Sequence, residues 1–172
     1  MPEQPRTTVP SPQIRPLTPA DLDAVVDLSL LAWEPVFVSF ANLLGSSIFD
    51  LLYRPQWQVA QAAAVRRTCL ADDSESFIVA TADDVPVGFV VLQQDPDESL
   101  GMVEMIAVHP EHQRRGHGRT LMEFAIGRLR DQGLSLIHVG TGGDPGHAPA
   151  RALYEAVGFT GLPLVNYYRA IA

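Results

Sequence analysis

Val108-His109-Pro110-Glu111-His112-Gln113-Arg114-Arg115-Gly116-His117-Gly118-Arg119 joins an apolar run, Leu100 to Val108, to an amphipathic run, Arg119 to Arg130. The first reads as a strand. The second reads as a helix with Leu121, Met122, Ala125, Ile126 and Leu129 inward, stopped by Gly133. Gly116 and Gly118 allow the backbone to turn tightly and let a ligand approach the first amides of that helix. Those N–H groups have no carbonyl partner inside the helix and sit at the positive end of its dipole, so they form an anion site. Arg114, Arg115 and Arg119 concentrate three of the twelve basic residues beside this one turn, in a chain whose formal net charge is −8. A diphosphate is the natural guest. An ordinary loop with a glycine entry and solvated arginines would carry the same residues, so the turn alone does not assign a function.

Working outward, Phe77-Ile78-Val79-Ala80 and Val87-Gly88-Phe89-Val90-Val91-Leu92 read as two strands joined by a turn at Asp83-Asp84. Leu134 to Val139 is a further strand. Thr141 to Gly146 is a glycine-rich loop, and Ala148 to Val157 is a short helix stopped by Gly158. Val165 to Ile171 is expected to close the sheet. At the front, Ile14 to Leu17 suggests a short strand. Thr18-Pro19-Ala20-Asp21 then has the pattern of a capped helix start. Trp33 to Ala64 is helical in composition, with interruptions expected at Pro35, Gly45 and Pro55. Six of the fourteen prolines precede residue 20, so residues 1–12 are expected to form a disordered tail ahead of one domain, 13–172. Helices, a hairpin, then strand–helix–strand–helix make a mixed α/β domain.

Composition narrows the function classes. A 47% hydrophobic share supports a packed core, and one cysteine excludes an internal disulfide. No apolar run approaches the roughly 18 to 20 residues that span a bilayer, and the first sixteen residues lack a signal-peptide core. The expectation is a cytoplasmic protein with no membrane partner. Its acidity disfavours nucleic acid as a partner, because phosphate-backbone binding needs a basic field.

The central stretch resembles the acetyl-CoA signature of the GNAT N-acetyltransferase superfamily, Gln/Arg-x-x-Gly-x-Gly/Ala, here Gln113-Arg114-Arg115-Gly116-His117-Gly118. Val108-His109-Pro110 matches the end of that family's fourth strand. His147, Ala150, Leu153, Tyr154, Gly158 and Phe159 follow its later helix pattern, with His147 where the family has Asn. The resemblance runs from about Ile14 onward. It implies the GNAT acyltransferase fold, with splayed central parallel strands formed by Leu100 to Val108 and Leu134 to Val139, and acetyl-CoA in the gap between them. By that resemblance, the backbone of Ile106, Ala107 and Val108 holds the pantetheine arm. The amides of Arg114, Arg115, Gly116, His117, Gly118 and Arg119 hold the pyrophosphate, and His147 and Ala150 line the cofactor site. The implied activity is direct acetyl transfer to a primary amine of a small molecule or peptide.

Such a transfer needs a base for the ammonium, donors for the tetrahedral oxyanion and an acid for the leaving thiolate. The resemblance assigns the acid to Tyr154 and the oxyanion donor to a backbone amide near Ile106. Glu104, inside an otherwise apolar strand, is the first choice for the base. Strict alternation puts it on the same face as Ile106 and Val108, while a structural pairing with an arginine is the competing reading. Asp144 and His147 are the alternatives as base. His147 is equally suited to a cofactor contact or a helix cap. Trp33, Glu34, Phe37 and Asp144 are the acceptor-side residues to watch, with Trp33 and Phe37 also fitting plain core. His109, His112 and His117 lack the carboxylate or cysteine spacing of a metal site, and Cys69 reads as packed. An acyl-CoA-binding sensor without catalysis is the rival function, and a phosphate binder using the Gly116–Gly118 turn alone is a third. The oligomeric state, including a homodimer, is left open.

Overall fold

The computed structural model describes residues 13–95 and 97–171; the expected tail, residues 1–12, lies outside them. Five strands, β1 (Gln13–Pro16), β2 (Ser74–Ala80), β3 (Pro86–Asp95), β4 (Leu100–Val108) and β5 (Leu136–Val139), form one sheet in chain order. The first four are antiparallel, and β5 runs parallel to β4. The parallel pair needs a crossover, and this is supplied by α4 (His117–Asp131). The other helices are α1 (Leu22–Leu44), α2 (Ser46–Leu52), α3 (Trp57–Cys69) and α5 (Ala148–Ala156).

Alternating side chains build a core on each side of the sheet. Ile78, Phe89 and Val91 pack with Val25, Leu28 and Val65 from α1 and α3. Val79, Val90 and Leu92 pack with Leu121, Met122 and Leu129 of α4 and with Tyr154 of α5. Each inward leucine or valine contributes roughly 1.5 to 3 kcal/mol on burial. Gly88 sits where a side chain would strike the backbone of β4: its Cβ would lie 2.9 Å from the Ala107 carbonyl oxygen.

The entry to α1 is tied down as the sequence suggested. Asp21 accepts from the Thr18 amide and hydroxyl at 2.8 and 2.7 Å and receives both terminal nitrogens of Arg15 at 2.7 and 2.8 Å. Hydrogen bonding from Arg15, helped by Thr18 and opposed by burial, holds the Asp21 carboxyl well below the usual range. Its stabilisation is present above the unfolded value near 4 and is lost as pH falls below it. Asp21→Asn is therefore expected to cost about 2 kcal/mol at pH 7. In urea unfolding, the difference from the parent should shrink towards pH 3; a constant difference would refute the charge contribution.

Three expectations need correction. Pro35 does not interrupt the helix, which runs through it to Leu44. Val36 and Phe37 just beyond it are buried, and tertiary packing outweighs the lost hydrogen bond. An 18-residue window within the helical run Pro19–Leu44 has a mean hydropathy of 1.6, enough by length and composition to cross a membrane. Its inward face packs on the sheet, and a third of that window is buried. Val165 to Ile171 does not close the sheet. No strand among the described residues pairs with the outer edge of β5, and Leu164, Val165, Tyr167 and Ile171 are exposed. β-propensity alone makes no strand without a partner for its backbone groups.

Candidate active site

β4 and β5 share only the register Leu100–Val103 with Leu136–Val139. Beyond Val103, β4 continues to Val108 with β3 as its strand neighbour. Among the described residues no strand pairs with its other edge over Glu104–Val108, while β5 leads away into the glycine-rich loop. The divergence opens a cleft of about 570 Å³ lined by Ile106, Ala107 and Val108 of β4, His147 and Tyr154 beyond β5, and Trp33 of α1. An unpaired strand edge can take an extended amide-bearing ligand as an added strand.

At one end of the cleft stands the start of α4. Gly116 is left-handed at φ 90° and caps the helix, and Arg114 is also at positive φ, 61°. The first helical bond runs from the Thr120 amide to the Gly116 carbonyl, 2.9 Å. The amides of His117, Gly118 and Arg119 consequently have no carbonyl partner within the helix. Gln113 Nε2 donates to the Val108 carbonyl at 3.0 Å and fastens the loop to the end of β4. Arg114, Gly116, Gly118 and Arg119 line the cleft. The Arg119 guanidinium is already engaged by Glu123 and the Ala156 carbonyl, so it ties α4 to α5. Arg115 and the half-buried His117 ring stand outside the lining. Burial, with the charges of His112 and Arg115, pushes His117 down, and its Nδ1 is buried without a partner among the described residues.

Tyr154 is buried beneath the cleft, and burial alone pushes its hydroxyl up to about 12. It stays protonated across the physiological range. Glu104 lies where the β3–β4 register shifts: Val91 faces Met105 and Leu92 faces Val103, leaving Glu104 as the extra residue of a bulge. The bulge overturns strict alternation. Val103 packs on the α4 side together with Ile106 and Val108, which an unbroken strand would not allow. Glu104 itself is exposed in the cleft wall and makes no ion pair among the described residues, so the arginine pairing is absent there.

The loop after β5 is tightly organised. Asp144 is buried and accepts from the Gly146 amide at 2.9 Å, and its Oδ1 lies 2.5 Å from His147 Nδ1. Burial pushes the Asp144 carboxyl up, but hydrogen bonds from His147, Ser39 and Gly146 and the histidine charge outweigh it and hold it below its usual value. Arg151 Nη1 donates to the carbonyls of Gly142 and Asp144. Gly146 presses against α1, where a Cβ would lie 2.7 Å from Val36 Cα and 2.9 Å from the Pro35 carbonyl.

Of the residues singled out in the sequence, the cleft gathers Trp33, Glu104, Ile106, Ala107, Val108, Arg114, Gly116, Gly118, Arg119, His147, Ala150 and Tyr154. Phe37 instead stacks on Trp57 at 4.3 Å and meets Tyr53 edge-on, and Glu34 is exposed outside the lining. Asp144 reaches the cleft through His147. Sequence reading missed Gln61, a buried lining residue whose Nε2 has no partner among the described residues, and the brace formed by Arg151 and Ser39. A lone glutamine or arginine on a helical face carries no local signal of such a role. Among the described residues no metal-binding cluster occurs, and burial, partly offset by Ser76, pushes the Cys69 thiol up.

The model of the Acetyltransferase (GNAT) family matches residues 45–159. The ribosomal protein bS18-alanine N-acetyltransferase of Salmonella typhimurium is 34% identical over 119 residues, covering 65% of this chain and 78% of that protein. The mycothiol acetyltransferase of Beutenbergia cavernae is 40% identical over 73 residues, 42% of this chain and 24% of that protein, so the chain spans about a quarter of its length. The paia N-acetyltransferase of Thermoplasma acidophilum, solved in complex with coenzyme A, aligns over 87% of this chain and 90% of its own at 17% identity. Its TM-score of 0.64 is a likeness of fold.

Proposed function

From the chain's membership of the acetyltransferase (GNAT) family, whose members use acetyl-CoA, we propose that it moves acetyl from acetyl-CoA directly to a primary amine. The observation that carries this reading is one cleft holding a free strand edge, an unpaired helix start and a protonated tyrosine. The edge at Ile106 to Val108, which has no strand partner and whose Val108 carbonyl is held by Gln113, matches the amides of pantetheine, and the first amides of α4 match a pyrophosphate. A backbone amide near Ile106 receives the developing oxyanion, which strengthens its hydrogen bond as charge grows. Tyr154 donates to the sulfur as the carbon–sulfur bond breaks. At about 12 it is a weaker acid than a thiol, near 8.5, so it stabilises the thiolate chiefly as a hydrogen-bond donor. Exposed Glu104 draws the acceptor's ammonium into the cleft. No covalent enzyme intermediate is needed.

The acceptor of the Salmonella typhimurium relative is an alanine of a ribosomal protein, and a peptide amino terminus is the first acceptor class we assign. The reaction belongs in the cytoplasm, where acetyl-CoA is available. Free-thiol release from acetyl-CoA, followed with an alanine-initiated peptide, a polyamine and simple primary amines, tests the reading. Release accelerated by at least one amine, with a stoichiometric amide product, is expected. Tight acetyl-CoA binding without acceleration would favour the non-catalytic sensor, and absence of binding would remove both.

A further inference from the structure

We propose that His147, oriented by Asp144, takes the proton from the acceptor's ammonium, while Glu104 attracts that ammonium without accepting its proton. The inference rests on the transfer reaction just described and adds the identity of its base. With Nδ1 held at 2.5 Å by a buried carboxylate, the imidazole is fixed in the tautomer whose Nδ1–H donates to Asp144. Its Nε2 then carries the lone pair. His147 lines the cleft together with Tyr154 and Glu104.

The pair is braced from three directions. Arg151 of α5 clasps the carbonyls of Gly142 and Asp144. The Phe40 ring of α1 lies 5.5 Å from the imidazole, and Ser39 accepts from the Gly146 amide at 3.3 Å. Gly146 itself sits against the α1 backbone. A side chain held this way loses little freedom on meeting substrate, which is what an oriented base needs. Nothing comparable holds Glu104, which stands exposed at a bulge.

Ionisable groups near the imidazole come from its own loop and from the neighbouring elements. Asp144 and Arg151 belong to its own loop and helix, and Tyr53, which feels the Asp144 charge, follows α2. Glu104 on β4 and Tyr154 on α5 line the same cleft. Asp144, held below its usual value, is a carboxylate at neutral pH. In the step, an N–H bond of the ammonium breaks and an Nε2–H bond forms. The imidazolium pairs with Asp144, and the free amine attacks the thioester carbonyl. The imidazolium later returns its proton to solvent. The second proton lost by nitrogen balances the one gained by the thiolate.

The test measures kcat/KM for an alanine-initiated peptide across neutral pH in the parent, His147→Gln, Asp144→Asn and Glu104→Gln, together with the ¹⁵N spectrum of His147 in the resting protein. His147→Gln is expected to lower kcat/KM about 100-fold, abolish the acid limb, and regain rate with added imidazole. Asp144→Asn is expected to lower it about 10-fold and lose the Nδ1–H tautomer. Glu104→Gln is expected to raise the peptide KM and keep the acid limb. An acid limb that survives His147→Gln, or vanishes with Glu104→Gln, overturns the proposal, as does an Nε2–H tautomer in the parent. A parent that acetylates no amine overturns the transfer reaction itself, a result distinct from an active His147→Gln variant.

Discussion

Tyr154→Phe is expected to lower kcat about 100-fold while leaving the KM for acetyl-CoA within about twofold. The substitution removes one oxygen from a buried ring that packs with Leu121, Met122 and Phe159, so the wall of the cleft keeps its shape. What disappears is the proposed donor to the sulfur, whose value would appear only as negative charge develops in the transition state. Since burial pushes the Tyr154 hydroxyl up to about 12, the parent should show no loss of rate from its ionisation below roughly pH 11. Single-turnover thiol release, with product dissociation excluded as the slow step, is the measurement. An unchanged chemical rate in the phenylalanine variant would refute the donor role.

Gly116→Val is expected to raise the KM for acetyl-CoA at least about 10-fold, with a smaller effect on kcat. No atom blocks a side chain there, so the effect arises from the backbone alone. At φ 90° a β-branched residue is strained by about 1 to 3 kcal/mol, and the chain can relieve that strain by rotating out of the left-handed region. The amides of His117, Gly118 and Arg119, which have no carbonyl partner within the helix, are then re-aimed, and the proposed anion site should weaken. Calorimetric titration with coenzyme A separates this from a loss of catalysis. Parent-like affinity in a folded variant would show that the turn does not hold the pyrophosphate.

Both predictions concern residues legible in the sequence, Gly116 from the local pattern and Tyr154 only through the resemblance of its helix to the family's. The glycine turn, the start of α4, the apolar face of that helix and the Thr18–Asp21 cap each depend on residues within one or two turns of chain. Their physics is local, so spacing exposes it. Glu104 was legible as an anomaly, a carboxylate in an apolar strand, but not as a bulge. The extra residue exists only in the register between β3 and β4. The pairing of Asp144 with His147 spans three residues, yet two groups that sequence reading weighed as rival bases act as one unit. Their brace comes from Ser39 and Phe40, more than one hundred residues away.

The sequence by itself determined the order of the strands from β1 to β5 and the glycine turn at Gly116 to Gly118, because these follow from periodicity and glycine conformation; Tyr154 as the proposed acid rests on the resemblance of its helix to the family's. Only the tertiary structure decided what surrounds them. It carried α1 through Pro35, because burial of Val36 and Phe37 outweighs one lost hydrogen bond. It left Val165 to Ile171 unpaired, because a strand needs a neighbour as well as propensity. It opened the cleft by ending the β4–β5 register at Val103, and it set His147 into that cleft by packing Gly146 against α1. Contacts between distant segments depend on how whole elements pack, and no local pattern encodes them.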